Sequence, residues 1–161
     1  MATPDFVLDL RSKIGHDMLW LPGATAVVLR PAPSGNGREV LLVRRADNGQ
    51  WTPVTGIVDP GEEPAVAAVR ECLEEADVVA EPEVLSWVHV LPPVTYENGD
   101  VSQYVDFTFR CRYISGEPHP ADGENTDARW FPLDALPEMR EDMRRRVEMG
   151  ASDSDVTAFV R

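Results

Sequence analysis

Residues Gly56 to Val78, GIVDPGEEPAVAAVRECLEEADV, constrain this chain more than any other stretch. Glycine and proline break the backbone as far as Gly61, and a helix is expected from Glu62 to about Ala76. Glu71, Glu74 and Glu75 fall in its last turns. At about 100° per residue, Glu71 and Glu75 stand roughly 40° apart around the axis, with Glu74 roughly 60° to the other side of Glu71. One sector of the helix therefore gathers like charge, which costs stability unless a cation answers it. Hard divalent cations suit clustered carboxylate oxygens. A merely solvated acidic helix end is the competing reading. The same helix needs a face to bury, and Val66, Val69, Leu73 and Ala76, spaced three, four and three, are expected to form it. Ala68 and Cys72 flank that stripe. The acidic side is then expected to face outward into a cleft. Glu62 and Glu63 suit the positive end of the helix dipole, and Arg70 can pair with an acidic residue of the loop.

The rest of the chain alternates short elements. Thr3-Pro4-Asp5 reads as a helix start with Thr3 as cap, and Phe6, Leu8, Leu10 and Ile14 give a partly apolar face that Gly15 ends. This helix, about 4–15, is expected on a sheet edge; a lid or dimer contact is the other reading. Gly23–Arg30 and Glu39–Arg45 are expected as the strands of a hairpin across PAPSGNGR. One of Arg44 and Arg45 should point off the core face, toward a phosphate or only toward solvent. Trp51 is either a packing residue or a ligand platform. Glu83–Thr95 and Val101–Ile114 are expected as long strands joined through Asn98-Gly99, a hairpin signal. In the second, Tyr104, Asp106, Thr108, Arg110 and Arg112 alternate with Val105, Phe107, Phe109 and Cys111. One face thus enters a core, and the other lines a pocket or meets water. A polar loop, Ser115–Asp127, leads to a short strand at Ala128–Phe131, a turn at Leu133–Leu136 and a helix at Pro137–Met149. Asp142, Arg144, Arg145 and Arg146 are expected on its solvated face. No repeat and no linker divides the sequence. One α/β domain over 1–161 is expected, a mixed sheet flanked by helices in an α/β/α sandwich, with its core at about 18–148 and a tail at 151–161.

Charge narrows the partners. The chain has 28 acidic and 15 basic residues, a net charge of -13. No large basic face can be built, so neither nucleic acid nor anionic membrane is expected as a partner. A phosphate-bearing substrate would need bound metal and a few local arginines. No apolar run is long enough to span a membrane, and MATPDFVLDLRSKIG does not read as a signal peptide. Cys72 and Cys111 are expected as free thiols of a cytoplasmic protein, Cys72 as an inert core residue.

The central stretch also keeps a fixed spacing. Gly56 is followed after five residues by Glu62, and after seven more by Arg70-Glu71-Cys72-Leu73-Glu74-Glu75. This resembles the Nudix box, and the order of elements over roughly 18–148 is similar to that of the Nudix hydrolase family. The resemblance implies Mg²⁺ or Mn²⁺, clamping a diphosphate and activating water. It implies Glu71, Glu74 and Glu75 as ligands, one of them a candidate base, with Glu62 and Arg70 as a supporting ion pair. It further implies the backbone carbonyl of Thr55 at the metal and an acidic ligand before a late strand. Glu124, six residues before Trp130, stands there, with Asp122 and Asp127 as rivals. Thr55 replaces a common second glycine. Asp77 replaces the family glycine after the glutamates, at a helix end where Asp tolerates a left-handed backbone.

The implied reaction is hydrolysis of the pyrophosphate bond in a nucleoside diphosphate linked to another moiety, of the nucleoside triphosphate or nucleotide sugar class. A non-catalytic sensor of the same fold is the alternative, disfavoured by the complete Arg-Glu and Glu-Glu set. An isoprenoid diphosphate isomerase would need a catalytic cysteine, and neither cysteine is placed for that. Arg44, Trp51, Tyr96 and Tyr104 are the candidates for substrate contact. A homodimer is implied by family analogy only.

Overall fold

The computed structural model describes residues 3–161; Met1 and Ala2, the first two residues of the expected domain, lie outside the described residues. Helix α1 (Asp5–Ile14) precedes β1 (Leu19–Pro31), β2 (Arg38–Arg45), β3 (Trp51–Thr52) and β4 (Val54–Ile57). Helix α2 (Pro64–Ala76) follows, then β5 (Val79–Val90), β6 (Val94–Thr95), β7 (Val101–Ser115) and β8 (Asn125–Pro132). Helix α3 (Glu141–Ala151) and β9 (Ala158–Phe159) end the order.

All nine described strands join one mixed sheet, whose main path runs β3-β2-β1-β7-β5-β9. The centre is β1, parallel to β7 on one side. On its other side it pairs antiparallel with β4 in its middle and with β2 at its end. Strand β8 extends the sheet antiparallel to β2. Both faces of β1 are covered, which explains its nearly unbroken apolar run. Ala24, Ala26 and Val28 face a core shared with Ala68, Cys72 and Ala76 of α2. Val27 and Leu29 face a second core with Val147 of α3. Two helices on opposite faces of a mixed sheet make the expected α/β/α sandwich. Helix α1 adds a third cluster, where Val7 packs on Leu19 and Leu21.

Several expectations are corrected. The first strand begins at Leu19, not Gly23, because β7 pairs with it from Leu19 onward. The opening of the box is not only loop: Gly56 and Ile57 belong to β4, which pairs with β1 from Gly23 to Ala26. Strand β5 starts straight after α2 and tolerates Pro82 at a register shift. Thr3 does not cap α1; Pro4 occupies the cap position without a side-chain hydrogen bond. The box helix begins at Pro64, since Glu63 is still extended. Val66 and Leu73 do not belong to its buried stripe: they are 54% and 51% exposed. Ala76 is buried as expected and Val69 packs half-buried against the same core, joined there by Ala67, Ala68 and Cys72. Arg146 of α3 is not on a solvated face. Its side chain is buried, donating to Thr25 Oγ1 at 2.9 Å and lying 3.4 Å from Asp106 Oδ1. The polar side of β7 accordingly lies under α3 at Asp106 and Thr108, and neither meets water.

Candidate active site

Gly56 lies in β4 directly under α2. A Cβ placed on it would stand 2.2 to 2.3 Å from Oε1, Cγ and Cδ of Glu71. Only glycine leaves room for that carboxyl group to lie over the strand. Glu71 is 2% exposed and Glu75, one turn on, 5% exposed. The expected outward acidic face therefore holds only for Glu74, which is exposed. The helix ends at Asp77, whose φ of 53° and ψ of 36° are left-handed.

Arg70 ties the loop, the strand and the helix together. Its Nε and Nη2 donate to Oε1 and Oε2 of Glu62 at 2.8 and 3.0 Å, a two-pronged pair that fixes both planes. Its Nη1 donates to Glu71 Oε1 at 2.8 Å and to Glu74 Oε2 at 2.9 Å. Nη2 also reaches the carbonyl of Ile57 at 3.3 Å. Glu62 Oε2 accepts the Asp59 N–H at 3.1 Å, closing the loop on itself. Arg70 holds the Glu62 carboxyl below the usual carboxylate range, and Glu62 in turn raises Arg70. Burial pushes Glu71 up to about 7, against Arg70, with the charges of Glu75 and Glu74 adding to the rise. Burial raises Glu75 as well, opposed by a hydrogen bond from Asn125.

The long loop after β7 docks on the end of α2. The N–H groups of His119 and Ala121 donate to the carbonyls of Ala76 and Glu75 at 3.2 and 3.1 Å, satisfying groups that a helix end leaves open. Gly116 permits the close approach, since a Cβ there would lie 2.2 Å from the Asp77 carbonyl oxygen. The loop thereby brings Asp122 and Asn125 to Glu75, with Glu124 between them in sequence. The backbone carbonyl of Glu124 accepts the Ala46 N–H at 2.8 Å, and its N–H donates to Asp122 Oδ1 at 3.0 Å. Asn125 Nδ2 donates to Glu75 Oε2 at 3.0 Å. Asp122 adds to the upward shift of Glu75 and Arg45 opposes it.

The other candidates are spread out. Glu62, Arg70, Glu71 and Glu74 come together, with Thr55 next to Gly56. Arg44 braces its own turn, donating to the Gly49 carbonyl at 3.0 Å. Arg45 is the arginine on the Glu75 side, paired with Asp47 at 3.0 and 2.7 Å. Trp51 packs edge-on against Phe131 in the core beneath α3, 4.8 Å between ring centroids. The hydroxyls of Tyr96 and Tyr104 meet at 2.8 Å, and the Tyr104 ring lies against the α1 cluster. Among the described residues, Trp51, Tyr96 and Tyr104 make no hydrogen bond to the carboxylates. Asn125 has no role in the sequence reading, and Arg45 appears there only as the alternative to Arg44. The only signal for Asn125 was its place beside Glu124; for Arg45 it was the pair with Arg44.

The residues suit a hard divalent cation by their chemistry. They offer carboxylate oxygens, two of them on buried side chains that gain from a counter-charge. Gly56 provides the cradle that holds one of them. Among the described residues no three ligand-type side chains are gathered on one point. Arg70 supplies the counter-charge between Glu71 and Glu74 in this arrangement.

A family model described as NUDIX domain matches residues 21–149. The chain belongs to the Nudix hydrolase family. Nudix hydrolases generally use divalent metals and act on small nucleotide substrates. The NAD-capped RNA hydrolase NudC of Pseudomonas aeruginosa is 37% identical over 103 residues, 63% of this chain and 34% of that protein. The 8-oxo-dGDP phosphatase NUDT18 of Homo sapiens is 34% identical over 105 residues, 62% of this chain and 30% of that protein. The chain thus spans about a third of the length of these curated relatives. A MutT NUDIX hydrolase from Burkholderia pseudomallei superposes with a TM-score of 0.61 at 25% identity, covering 81% of this chain and 98% of that one. An ADP-ribose pyrophosphatase from Streptococcus suis shares the fold, with a TM-score of 0.61 at 20% identity over 87% of this chain and 98% of that one. No helix among the described residues is long and apolar enough to cross a membrane.

Proposed function

We propose that this Nudix protein is a Mg²⁺- or Mn²⁺-dependent pyrophosphohydrolase. Its substrate is a nucleoside diphosphate linked to another moiety, of the nucleoside triphosphate or nucleotide sugar class. The observation that carries this reading is the single guanidinium of Arg70 joining Glu62, Glu71 and Glu74. In this reading Glu71, Glu74 and Glu75 hold the cation, with Glu124 and the Thr55 carbonyl as further ligands. Bound there, a divalent cation supplies neutralisation of the diphosphate and a more acidic coordinated water. Glu62 and Arg70 keep the loop fixed against the helix, so that the carboxylates stay in register with β4. The NudC and NUDT18 names, together with the fold, support a nucleotide derivative as substrate, hydrolysed to two phosphate-bearing products. A cytoplasmic location and a homodimer belong to the same reading.

A panel of nucleoside triphosphates, oxidised nucleotides, ADP-ribose, NADH, dinucleoside polyphosphates and NAD-capped RNA, each with Mg²⁺ and with Mn²⁺, tests it. Turnover of at least one small nucleotide is expected. Glu75→Gln should then lower kcat on that substrate by about 100-fold or more. A chain that turns over no member but binds a nucleotide is a sensor instead.

A further inference from the structure

The family pattern ends its assignments at carboxylates, yet the group in contact with Glu75 is an amide. Asn125 is 6% exposed, and its Nδ2 donates to Glu75 Oε2 at 3.0 Å. Two separate features bring it there. Loop 115–124 docks on the last carbonyls of α2 through His119 and Ala121. The β2–β8 register then shifts between Arg44 and Arg45, so that Arg45 stands opposite Asn125 rather than Thr126. Bulges of this kind re-aim side chains beside functional sites. Here it faces Thr126 outward, where its hydroxyl donates to the Arg44 carbonyl at 3.3 Å, and turns the Asn125 amide inward.

We infer that Asn125 is a positioning residue for Glu75, setting which oxygen of that carboxylate is offered to the cation. The inference rests on the metal reading above. A buried carboxylate rotates freely about its last torsion unless something holds it. The Asn125 amide holds Oε2; among the described residues no hydrogen bond engages Oε1. An amide suits this task better than a basic residue. It donates to the carboxylate without neutralising it, so Glu75 keeps its full charge for the cation. Partners that orient a metal ligand in this way are worth about 10- to 100-fold in metal affinity.

The test is Mn²⁺ titration of the full chain by electron paramagnetic resonance, with thermal melting alongside to confirm folding. Asn125→Ala and the size-matched Asn125→Leu should each bind Mn²⁺ about 10- to 100-fold more weakly than the parent. Asn125→Leu keeps the measurement possible if truncation prevents folding. The added effect of Asn125→Ala should vanish in a Glu75→Gln background, because Asn125 acts through Glu75; a packing defect would persist there. Folded Asn125 variants that bind Mn²⁺ within twofold of the parent overturn the inference while leaving the metal reading intact. A parent chain that binds no Mn²⁺ overturns both.

Discussion

Gly56 and Asp77, at the two ends of the box, illustrate opposite kinds of backbone constraint. Gly56 has no unusual torsion; its constraint is space, because Glu71 lies where a Cβ would be. Gly56→Ala must therefore push the Glu71 carboxyl off the strand and strain its bond to Arg70. Overpacking of this type costs about 1–3 kcal/mol, readable in urea denaturation, and should remove most Mn²⁺ binding as well. A folded Gly56→Ala protein with parental Mn²⁺ affinity would show that the seat of Glu71 over β4 is unimportant. Asp77 is constrained by torsion instead, the one non-glycine residue with positive φ among the described residues. Its neighbour Gly116 takes up the close contact with the loop. Asp77→Gly should relieve the left-handed strain and raise stability by about 1 kcal/mol. A lowered melting temperature for Asp77→Gly would mean that the Asp77 side chain contributes more than the strain costs.

At the scale of elements, α2 explains what the sequence made legible and what it did not. The box spacing is local, so the loop, the helix and the Glu62–Arg70 pair could be read from contiguous residues. The hydrophobic spacing finds Val69 and Ala76 on the buried face of the helix but wrongly adds Val66 and Leu73. Val66 and Leu73 are apolar yet exposed, while mostly small residues face the sheet beside Val69: Ala67, Ala68 and Ala76 are each no more than 1% exposed. Small side chains let the helix sit close enough for Glu71 to reach Gly56, a requirement that no hydrophobic pattern states. Leu73→Ser should therefore change stability by less than about 0.5 kcal/mol, as an exposed position does, whereas Ala68→Leu should cost about 1–3 kcal/mol. Equal losses in urea denaturation would restore the expected stripe. Asn125 was illegible for a different reason, and the choice between Arg44 and Arg45 stayed open for the same one. Loop docking and a register shift between distant strands bring Asn125 to Glu75 and set Arg45 opposite Asn125, and neither leaves a local signature.

For the whole molecule, function and stability pull in different directions. The chain carries a net charge of -13 and still buries three carboxylates, Asp106 beside Arg146 and, at the candidate site, Glu71 and Glu75. Glu71 ionises near 4.5 when unfolded and at about 7 in the fold. Between those values the folded state holds more protons than the unfolded one, so stability falls as pH rises and levels off above the folded value. Glu71 alone contributes up to about 3 kcal/mol to that fall, and Glu75 acts in the same direction. The metal-free protein should therefore be more stable at pH 5 than at pH 8. Glu71→Gln should flatten the profile, gaining stability at pH 8 while losing Mn²⁺ binding. General repulsion among surface carboxylates predicts a similar fall with pH, but Glu71→Gln would then remove only one charge of many and leave the slope nearly unchanged. Urea midpoints at pH 5, 6, 7 and 8, with and without Mn²⁺, separate the two causes. Saturating Mn²⁺ should restore stability at pH 8 in the parent and not in Glu71→Gln, because a ligand stabilises only the state that binds it.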